Sequence, residues 1–350
     1  MKRFFLLLGI LLPLISRGAF INGQNYVPLA DWAKANGLKT FWLRRGAEFG
    51  ATNRSARLVF AKDSSTAEIN GVNVALSFPA AVDKGAPLVA QFDLDKTFRP
   101  LIFPSKFADA KKITTICLDP GHGGKDSGNR VGFGFFGRSE KTYTLLLAFE
   151  LRDQLKKSGF NVILTRDKDA YVELPERPAI ANKARADLFV SLHFNAAQTG
   201  KNEVAGPETY CITPAGAASS NSQGEGGGSG PTIANRNEQK SLLLAYQIQK
   251  SLVLNLRVED RSVRRARFAV LRDATMPAIL IEGGYMTNPT EGKKIYDATY
   301  RKQMAAAIAK GILAYQKLTA PAMIQPPVAK TNSISTLPAN KVLKNSPEVK

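Results

Sequence analysis

The chain has 350 residues, of which 44% are hydrophobic, enough for about two ordinary domains with apolar cores. It carries 48 Lys and Arg against 29 Asp and Glu, a formal net charge of +19. Such a charge favours polyanionic partners, but the basic residues form no RNA- or DNA-binding signature, so we expect no nucleic acid partner. A solvated basic face without a specific partner is the alternative explanation of the charge.

The first 18 residues have the layout of a secretory signal peptide. Lys2 and Arg3 precede an apolar run from Phe4 to Ile15, which small residues follow. The run is too short to span a bilayer comfortably, so we expect cleavage after Gly18 and no stable transmembrane segment afterwards. The sequence therefore predicts an exported protein of the periplasm or cell envelope, with an uncleaved membrane anchor as the alternative.

Residues 19–105 are predicted to form a small α+β module. We expect a helix from Pro28 to Gly37, a strand from Ala56 to Lys62 and a hairpin turn at Asn70-Gly71. The segment INGQNYVPLADWAKANGL, followed by the strands and EINGVNVALS, resembles the copper amine oxidase-like N-terminal stalk domain. The resemblance implies positioning or contact with envelope proteins. It implies no copper, because the module contains neither His nor Cys.

Residues 111–318 alternate apolar strand-like runs with helical patterns, which predicts a three-layer α/β/α domain with a mostly parallel mixed sheet. Apolar rows at helical spacing predict three helices, around Leu147, Ile248 and Ile308. The predicted strands are Thr114 to Leu118, Val162 to Thr165, Leu188 to Leu192, Glu208 to Ile212, Ala269 to Leu271 and Ala278 to Ile281.

Two segments of low complexity interrupt or follow this domain. Gly216 to Gly230 is rich in Gly and Ser and is predicted to be a surface loop, and residues 319–350 are predicted to be a disordered tail. The two cysteines of the chain, Cys117 and Cys211, both lie in apolar runs. They either form a disulfide or remain separate buried thiols.

The chain contains only two histidines, and each follows or ends an apolar strand-like run. His122 lies in ICLDPGHGG, where the glycines let a ligand approach the backbone, and His193 lies in DLFVSLHFNAA. Ligands of open α/β sheets bind outside the carboxyl ends of the strands, so both imidazoles can reach one metal ion there. A hydrolytic zinc site needs about three protein ligands and an open position for water, and two His with one Glu is a recurring set.

Two glutamates are candidates for the remaining roles in such a site. Glu140 extends the buried face of the helix that carries Leu147, at its N-terminal end, and a carboxylate there is costly unless it is paired or bound to a cation. A surface residue that pairs with the helix dipole is the alternative. Glu282 ends the apolar run MPAILIEGGYM on the same rim as both histidines. It could serve as the base that a hydrolytic reaction needs.

Together these segments resemble the zinc-dependent N-acetylmuramoyl-L-alanine amidases, the amidase-3 family of cell-wall hydrolases. The resemblance rests on ICLDPGHGGKDSG, Glu140 at a helix start, LPERPAIANKARADLFVSLHFNAA, GPETYCI and FAVLRDATMPAILIEGGYMTNPTE. It implies Zn²⁺ held by His122, Glu140 and His193, with Glu282 as the catalytic glutamate. It also implies a peptidoglycan hydrolase that cleaves the amide between N-acetylmuramic acid and L-alanine of the stem peptide by zinc-activated water.

Two further residues are candidate substrate contacts. Asn195 is either a substrate contact or a cap of the turn that follows His193, and Arg177 is either a substrate contact or part of a structural salt bridge. For the whole chain, two other functions stay open. One is a zinc peptidase that acts on wall peptides, and the other is an inactive wall-binding protein that keeps the fold.

Overall fold

The computed structural model describes residues 18–104, 112–132, 137–220 and 230–320. The predicted signal peptide lies almost wholly outside these ranges, as do the tail beyond residue 320 and most of the Gly/Ser-rich segment. Within them, none of the helices combines the length and the apolar character that a membrane span requires.

The N-terminal part, up to residue 104, consists mainly of short antiparallel strands. Its strands are β1 Ala19–Ile21, β2 Gln24–Pro28, β3 Lys39–Arg44, β4 Glu48–Thr52, β5 Arg57–Ala61, β6 Thr66–Ile69, β7 Val72–Ala75, β8 Ala81–Asp83 and β9 Ala86–Ala90. Its helices are α1 Leu29–Ala35, α2 Gln91–Asp93 and α3 Arg99–Ile102, with a π-helical turn at Leu94–Phe98.

The expected helix and hairpin of this part are confirmed. The hairpin of β6 and β7 turns at Asn70 and Gly71, whose φ angles are 48° and 79°. Positive φ at both central turn residues is what a two-residue hairpin of type I′ requires, and Asn-Gly adopts it at low cost. Strands β1, β2, β9 and β8 form a separate four-stranded sheet, whereas β3 to β7 form an antiparallel meander.

The C-terminal part alternates strands and helices. Its strands are β10 Thr115–Pro120, β11 Arg130–Val131, β12 Arg138–Ser139, β13 Asn161–Leu164, β14 Leu188–Asn195, β15 Glu208–Ile212, β16 Val263–Ala266 and β17 Ala278–Tyr285. Its helices are α4 Glu140–Lys157, α5 Glu176–Lys183, α6 Glu238–Leu256, α7 Ala269–Arg272, α8 Pro289–Tyr296 and α9 Ala298–Thr319, with a 3₁₀ turn at Ile233–Asn237.

The sheet of the C-terminal part has the order β13-β10-β14-β17-β15-β16. Its neighbouring strands are parallel except for β15 and β17, which are antiparallel. Helices α4, α6 and α9 pack together on one face, and α5 and α7 lie with a second apolar cluster on the other. The predicted three-layer α/β/α arrangement with a mostly parallel mixed sheet is therefore confirmed.

One predicted strand is wrong. Ala269–Arg272 forms the short helix α7, and the neighbouring strand is Val263–Ala266 instead. Val270 and Leu271 are apolar because they are buried in the second apolar cluster, and a short apolar run does not distinguish a helix from a strand. The observed strand was not predicted because Arg264 and Arg265 give its sequence the composition of an exposed segment.

The N-terminal meander continues the sheet of the C-terminal part. β7 pairs in parallel with β16 at Val74 and Val263, which gives a sheet of eleven strands among the described residues. The hydroxyl of Tyr246 in α6 donates to the carbonyl oxygen of Ile69 over 2.9 Å, and one apolar cluster spans both parts. The two parts therefore share a core.

The two cysteines do not form a disulfide. Cys117 lies in β10 and Cys211 in β15, both thiols are free and buried, and strands β14 and β17 separate them in the sheet. The disulfide alternative is therefore wrong, and both residues act as small apolar side chains in the core.

The crossing of α6 and α9 supplies a stability test. A Cβ atom added at Gly311 would lie 2.6 Å from the Ile248 Cα atom, whereas one at Gly230 would meet no atom of the described residues within 4 Å. Because backbone cannot move aside cheaply, Gly311→Val should lower the free energy of unfolding by about 1–3 kcal/mol, as overpacking does. Chemical denaturation measures this loss. Equal stability of Gly311→Val and the matched control Gly230→Val would contradict the close crossing.

Candidate metal centre

The carboxyl ends of neighbouring strands bring the predicted site residues together. β10 leads directly into the loop of His122, β14 carries His193, and β17 carries Glu282. β14 lies between β10 and β17, and His193 is the register partner of Glu282. Parallel pairing thus places the ends of all three strands at one edge of the sheet.

Among the described residues, His122, Glu140 and His193 form a cluster that could hold a metal ion. One ligand atom from each lies within 4.8 Å of the others. Glu140 stands between the two imidazoles: its Oε2 atom is 3.1 Å from His122 Nε2, and its Oε1 atom is 3.0 Å from His193 Nδ1. The two rings are 4.8 Å apart between centroids.

Glu140 is the first residue of α4 and is 1% exposed. Besides the two imidazoles, its carboxylate accepts hydrogen bonds from the backbone N–H groups of Phe194 (3.0 Å) and Asn129 (2.9 Å). Burial alone would raise the pKa of this carboxyl, but the hydrogen bonds and charges of His122 and His193 hold it well below its usual range. Glu140 is thus a buried anion, which removes the alternative of a surface residue that pairs only with the helix dipole.

His122 is held in an unusual backbone conformation. Its φ angle is 62°, in the left-handed region that is rare for residues other than glycine. Its Nδ1 atom lies 2.8 Å from Asp126 Oδ2 and its Nε2 atom faces Glu140, so each ring nitrogen has a carboxylate partner. Burial lowers the pKa of His122, but the hydrogen bonds and charges of Glu140 and Asp126 together raise it by more, so the net shift is upward.

Two glycines leave room for these side chains. A Cβ atom at Gly121 would overlap the His193 ring, and one at Gly128 would lie 2.6 Å from the His122 ring and 2.7 Å from Glu140 Oε2. Gly128 also has a φ angle of 60°. Any larger residue at either position would displace a candidate ligand.

Two buried arginines fix the loop that carries His122. Arg166 donates to the carbonyl oxygens of Pro120 and Gly121, each over 2.9 Å. Arg177 donates to the carbonyl oxygen of His122 over 3.0 Å and forms an ion pair of 2.9 Å with Asp119. Because Arg177 is 2% exposed, the structural alternative fits its position, and the substrate contact does not.

Glu282 and Asn195 line a cavity of about 640 Å³ beside the cluster. Within the described part of the chain, Glu282 Oε2 is a buried oxygen without a hydrogen-bond partner. Burial, followed by the charges of Glu140 and Glu208, raises the pKa of Glu282 well above its usual value. Asn195 accepts a hydrogen bond from the N–H of Ala196 (2.9 Å), so it supports the turn while it also faces the cavity.

The donor set fits zinc. It offers two imidazole nitrogens and one carboxylate oxygen within reach of one ion, which is the set of three that hydrolytic zinc sites use with one position left for water. The contact of His122 with Asp126 has the form in which a ligating histidine is usually held by a neighbouring carboxylate.

Several residues that shape this site were not among the predicted ones. Asp126 could have been found from the sequence, because it follows His122 by four residues in ICLDPGHGGKDSG. The roles of Asp119, Arg166 and Glu208 could not, because they depend on contacts with Thr165, Pro120 and Tyr285, which are 46 to 77 residues away in sequence. Only the fold brings these pairs together.

Comparison with known proteins gives consistent matches. A family model described as N-acetylmuramoyl-L-alanine amidase matches residues 116–314. The N-acetylmuramoyl-L-alanine amidase AmiC of Neisseria meningitidis serogroup B is 32% identical over 274 residues, which cover 68% of this chain and 64% of that protein. The amidase AmiA of Escherichia coli is 31% identical over 233 residues, which cover 60% of this chain and 78% of that protein. This chain thus spans slightly less than two thirds of the Neisseria protein.

A solved structure of an N-acetylmuramoyl-L-alanine amidase from Clostridium difficile 630 is also similar. It is 33% identical, with a TM-score of 0.49, and the match covers 59% of this chain and 98% of that chain.

The contact between His122 and Asp126 supplies a binding test. Asp126→Ala removes the carboxylate that orients the ring, so we expect zinc affinity to fall by about 10–100-fold. Competition with a chromophoric chelator measures this change. Asp153→Ala, which removes an exposed aspartate paired with Arg152, is the matched control. Equal affinities of the two variants would show that Asp126 does not orient His122 for a metal.

Proposed function

The chain belongs to the amidase-3 family of N-acetylmuramoyl-L-alanine amidases, and from this membership we propose that it is a zinc-dependent peptidoglycan hydrolase. It would cleave the amide between N-acetylmuramic acid and the L-alanine of the stem peptide. The observation that carries the zinc proposal is the buried Glu140 carboxylate, which stands between the imidazoles of His122 and His193 beside the cavity of Glu282.

We assign His122, Glu140 and His193 as the residues that would hold Zn²⁺. When bound, zinc supplies a Lewis acid that polarises a carbonyl group and lowers the pKa of a coordinated water to about 7. The chain's own contribution is to keep the three donors convergent, through Asp126 on His122 and the backbone N–H groups on Glu140. Arg177 is proposed as a residue that positions the His122 loop.

Glu282 is proposed as the catalytic glutamate. Its Oε2 atom is buried and lacks a partner among the described residues, and its strand lies directly beside that of His193. In the proposed reaction this carboxylate accepts the proton of the attacking water and passes it to the nitrogen of the leaving peptide. Asn195, on the wall of the same cavity, is proposed as a substrate contact.

Two alternative functions, a zinc peptidase and an inactive wall-binding protein, predict different products from those of the proposed amidase. A zinc peptidase would cut within the stem peptide, whereas the proposed amidase would release intact stem peptides and leave free lactyl carboxylates on the glycan. An inactive wall-binding protein would release nothing. Mass spectrometry of digested peptidoglycan separates the three outcomes.

The remaining parts of the chain support a proposal about location. The apolar run after Lys2 and Arg3 supports a cleaved signal peptide, and a wall substrate requires export to the periplasm or cell envelope. We propose residues 19–105 as a stalk-like module that contacts envelope proteins, residues 111–318 as the amidase domain and residues 319–350 as a tail. We propose no nucleic acid partner.

Glu282→Gln tests the proposed proton carrier. The amide cannot act as a base, so the rate of amide cleavage should fall by about 10²–10⁴-fold. Because Glu282 is not one of the proposed ligands, the variant should still bind one zinc ion per chain. Glu176→Gln, which changes an exposed glutamate, is the matched control. Cleavage by Glu282→Gln at the control rate would exclude this role.

Removal of the metal tests the zinc proposal. Chelation should abolish amide cleavage, and one equivalent of Zn²⁺ should restore it, because the polarising charge is lost and regained. In His193→Ala, zinc should restore little, since one of three proposed ligands is missing. Full activity after metal has been removed, verified by elemental analysis, would contradict the proposal.

A further inference from the structure

The cavity beside Glu282 has a cationic wall that the proposed reaction does not use. Besides Glu282 and Asn195, its lining includes Glu208, Arg261 and Arg264. β15 carries Glu208 and pairs with β17, so that Glu208 is the register partner of Glu282. Arg261 and Arg264 lie before and within β16, the next strand.

Glu208 anchors both arginines. It is 2% exposed, and its Oε1 atom lies 3.0 Å from Arg261 Nε, whereas its Oε2 atom lies 3.5 Å from Arg264 Nε. The hydroxyls of Tyr285 and Tyr210 also donate to this carboxylate, over 2.8 and 2.6 Å. Its oxygens are therefore fully engaged, and two guanidinium groups share a single carboxylate.

Both arginines remain open to the cavity. Their side chains are 25% and 29% exposed, although Arg261 Nε donates to Glu208 and Arg264 Nε donates to the carbonyl oxygen of Arg261 over 3.2 Å. A guanidinium has five N–H donors, and a pre-ordered one loses less rotamer entropy when it binds a carboxylate. The wall is thus built to accept a planar anionic group.

We infer that Arg264, with Arg261 beside it, binds a free carboxylate on the peptide half of the substrate. This inference rests on the proposed function, because the two halves that the scissile amide joins differ in charge. The sugar half is neutral until the bond is cut, whereas the stem peptide carries its own carboxyl groups. The enzyme therefore discriminates between stem peptides with a free carboxylate and those with a carboxamide at the same position.

The test uses the zinc-loaded full chain and two synthetic muramyl peptides. They differ only in whether the carboxyl group of the second peptide residue is free or amidated. The wild-type protein should prefer the free acid by about tenfold in kcat/KM, as a charge-assisted contact implies. Arg264→Gln should reduce this ratio to nearly one, mainly through a higher KM for the free acid.

Two further variants separate binding from structure. Arg264→Lys keeps the charge but loses the planar fork, so its preference should be intermediate. Arg57→Gln, which removes an arginine exposed at the N-terminal meander, should keep the wild-type ratio. A wild-type ratio of one, or an equal loss of activity on both substrates in Arg264→Gln, would overturn the inference.

A binding measurement keeps this inference separate from the proposed function. Calorimetric titration with the free peptide, as acid and as carboxamide, needs no cleavage. If the wild-type protein cuts neither substrate but binds the acid about tenfold more tightly in an Arg264-dependent way, the inference holds and the proposed function fails. If it cuts both substrates equally and binds both peptides equally, the function holds and the inference fails.

Discussion

The buried carboxylate of Glu140 is the constraint on which the candidate site depends. An ionised carboxylate that is only 1% exposed destabilises the fold unless hydrogen bonds or charged partners satisfy its oxygens. Here two imidazoles and two backbone N–H groups match it, and they come from the His122 loop, the Asn129 turn and the end of β14. One side chain at a helix start therefore joins the nearby segment from His122 to Asn129 to the end of β14, where His193 lies 53 residues further along the chain. Each of these segments must be in place for the hydrogen bonds of the others to form.

The strand register of the central sheet places the metal-site residue His193 level with the side chains that line the cavity. His193, Glu282 and Glu208 are direct neighbours on β14, β17 and β15. A slip of one residue in either pairing would turn these side chains to the opposite face. The antiparallel reversal at β15 matters because it brings Glu208 level with Glu282. The sheet thus lines up the candidate ligand, the candidate base and the anchor of the cationic wall.

The sequence predicted the parts of this arrangement that depend on local pattern. Strand ends, the helix of Glu140 and the Asn70-Gly71 turn follow from apolar spacing and turn chemistry, so they could be placed without a structure. β16 could not, because VRRA has the composition of a surface segment and its burial depends on partners elsewhere. For the same reason the sequence did not reveal the roles of Asp119, Arg166 and Glu208, which depend on partners such as Thr165, Pro120 and Tyr285 that are distant in sequence. The burial of Arg177, likewise, decides between a salt bridge and a substrate contact only once the fold is known.

The proposed site holds one zinc ion through two imidazoles and one carboxylate. Zinc X-ray absorption spectroscopy of the loaded full chain measures this ligand set. We expect only nitrogen and oxygen ligands at about 2.0–2.2 Å, with the multiple-scattering signature of two imidazoles. A sulfur ligand at about 2.3 Å, or a spectrum without imidazole scattering, would contradict it.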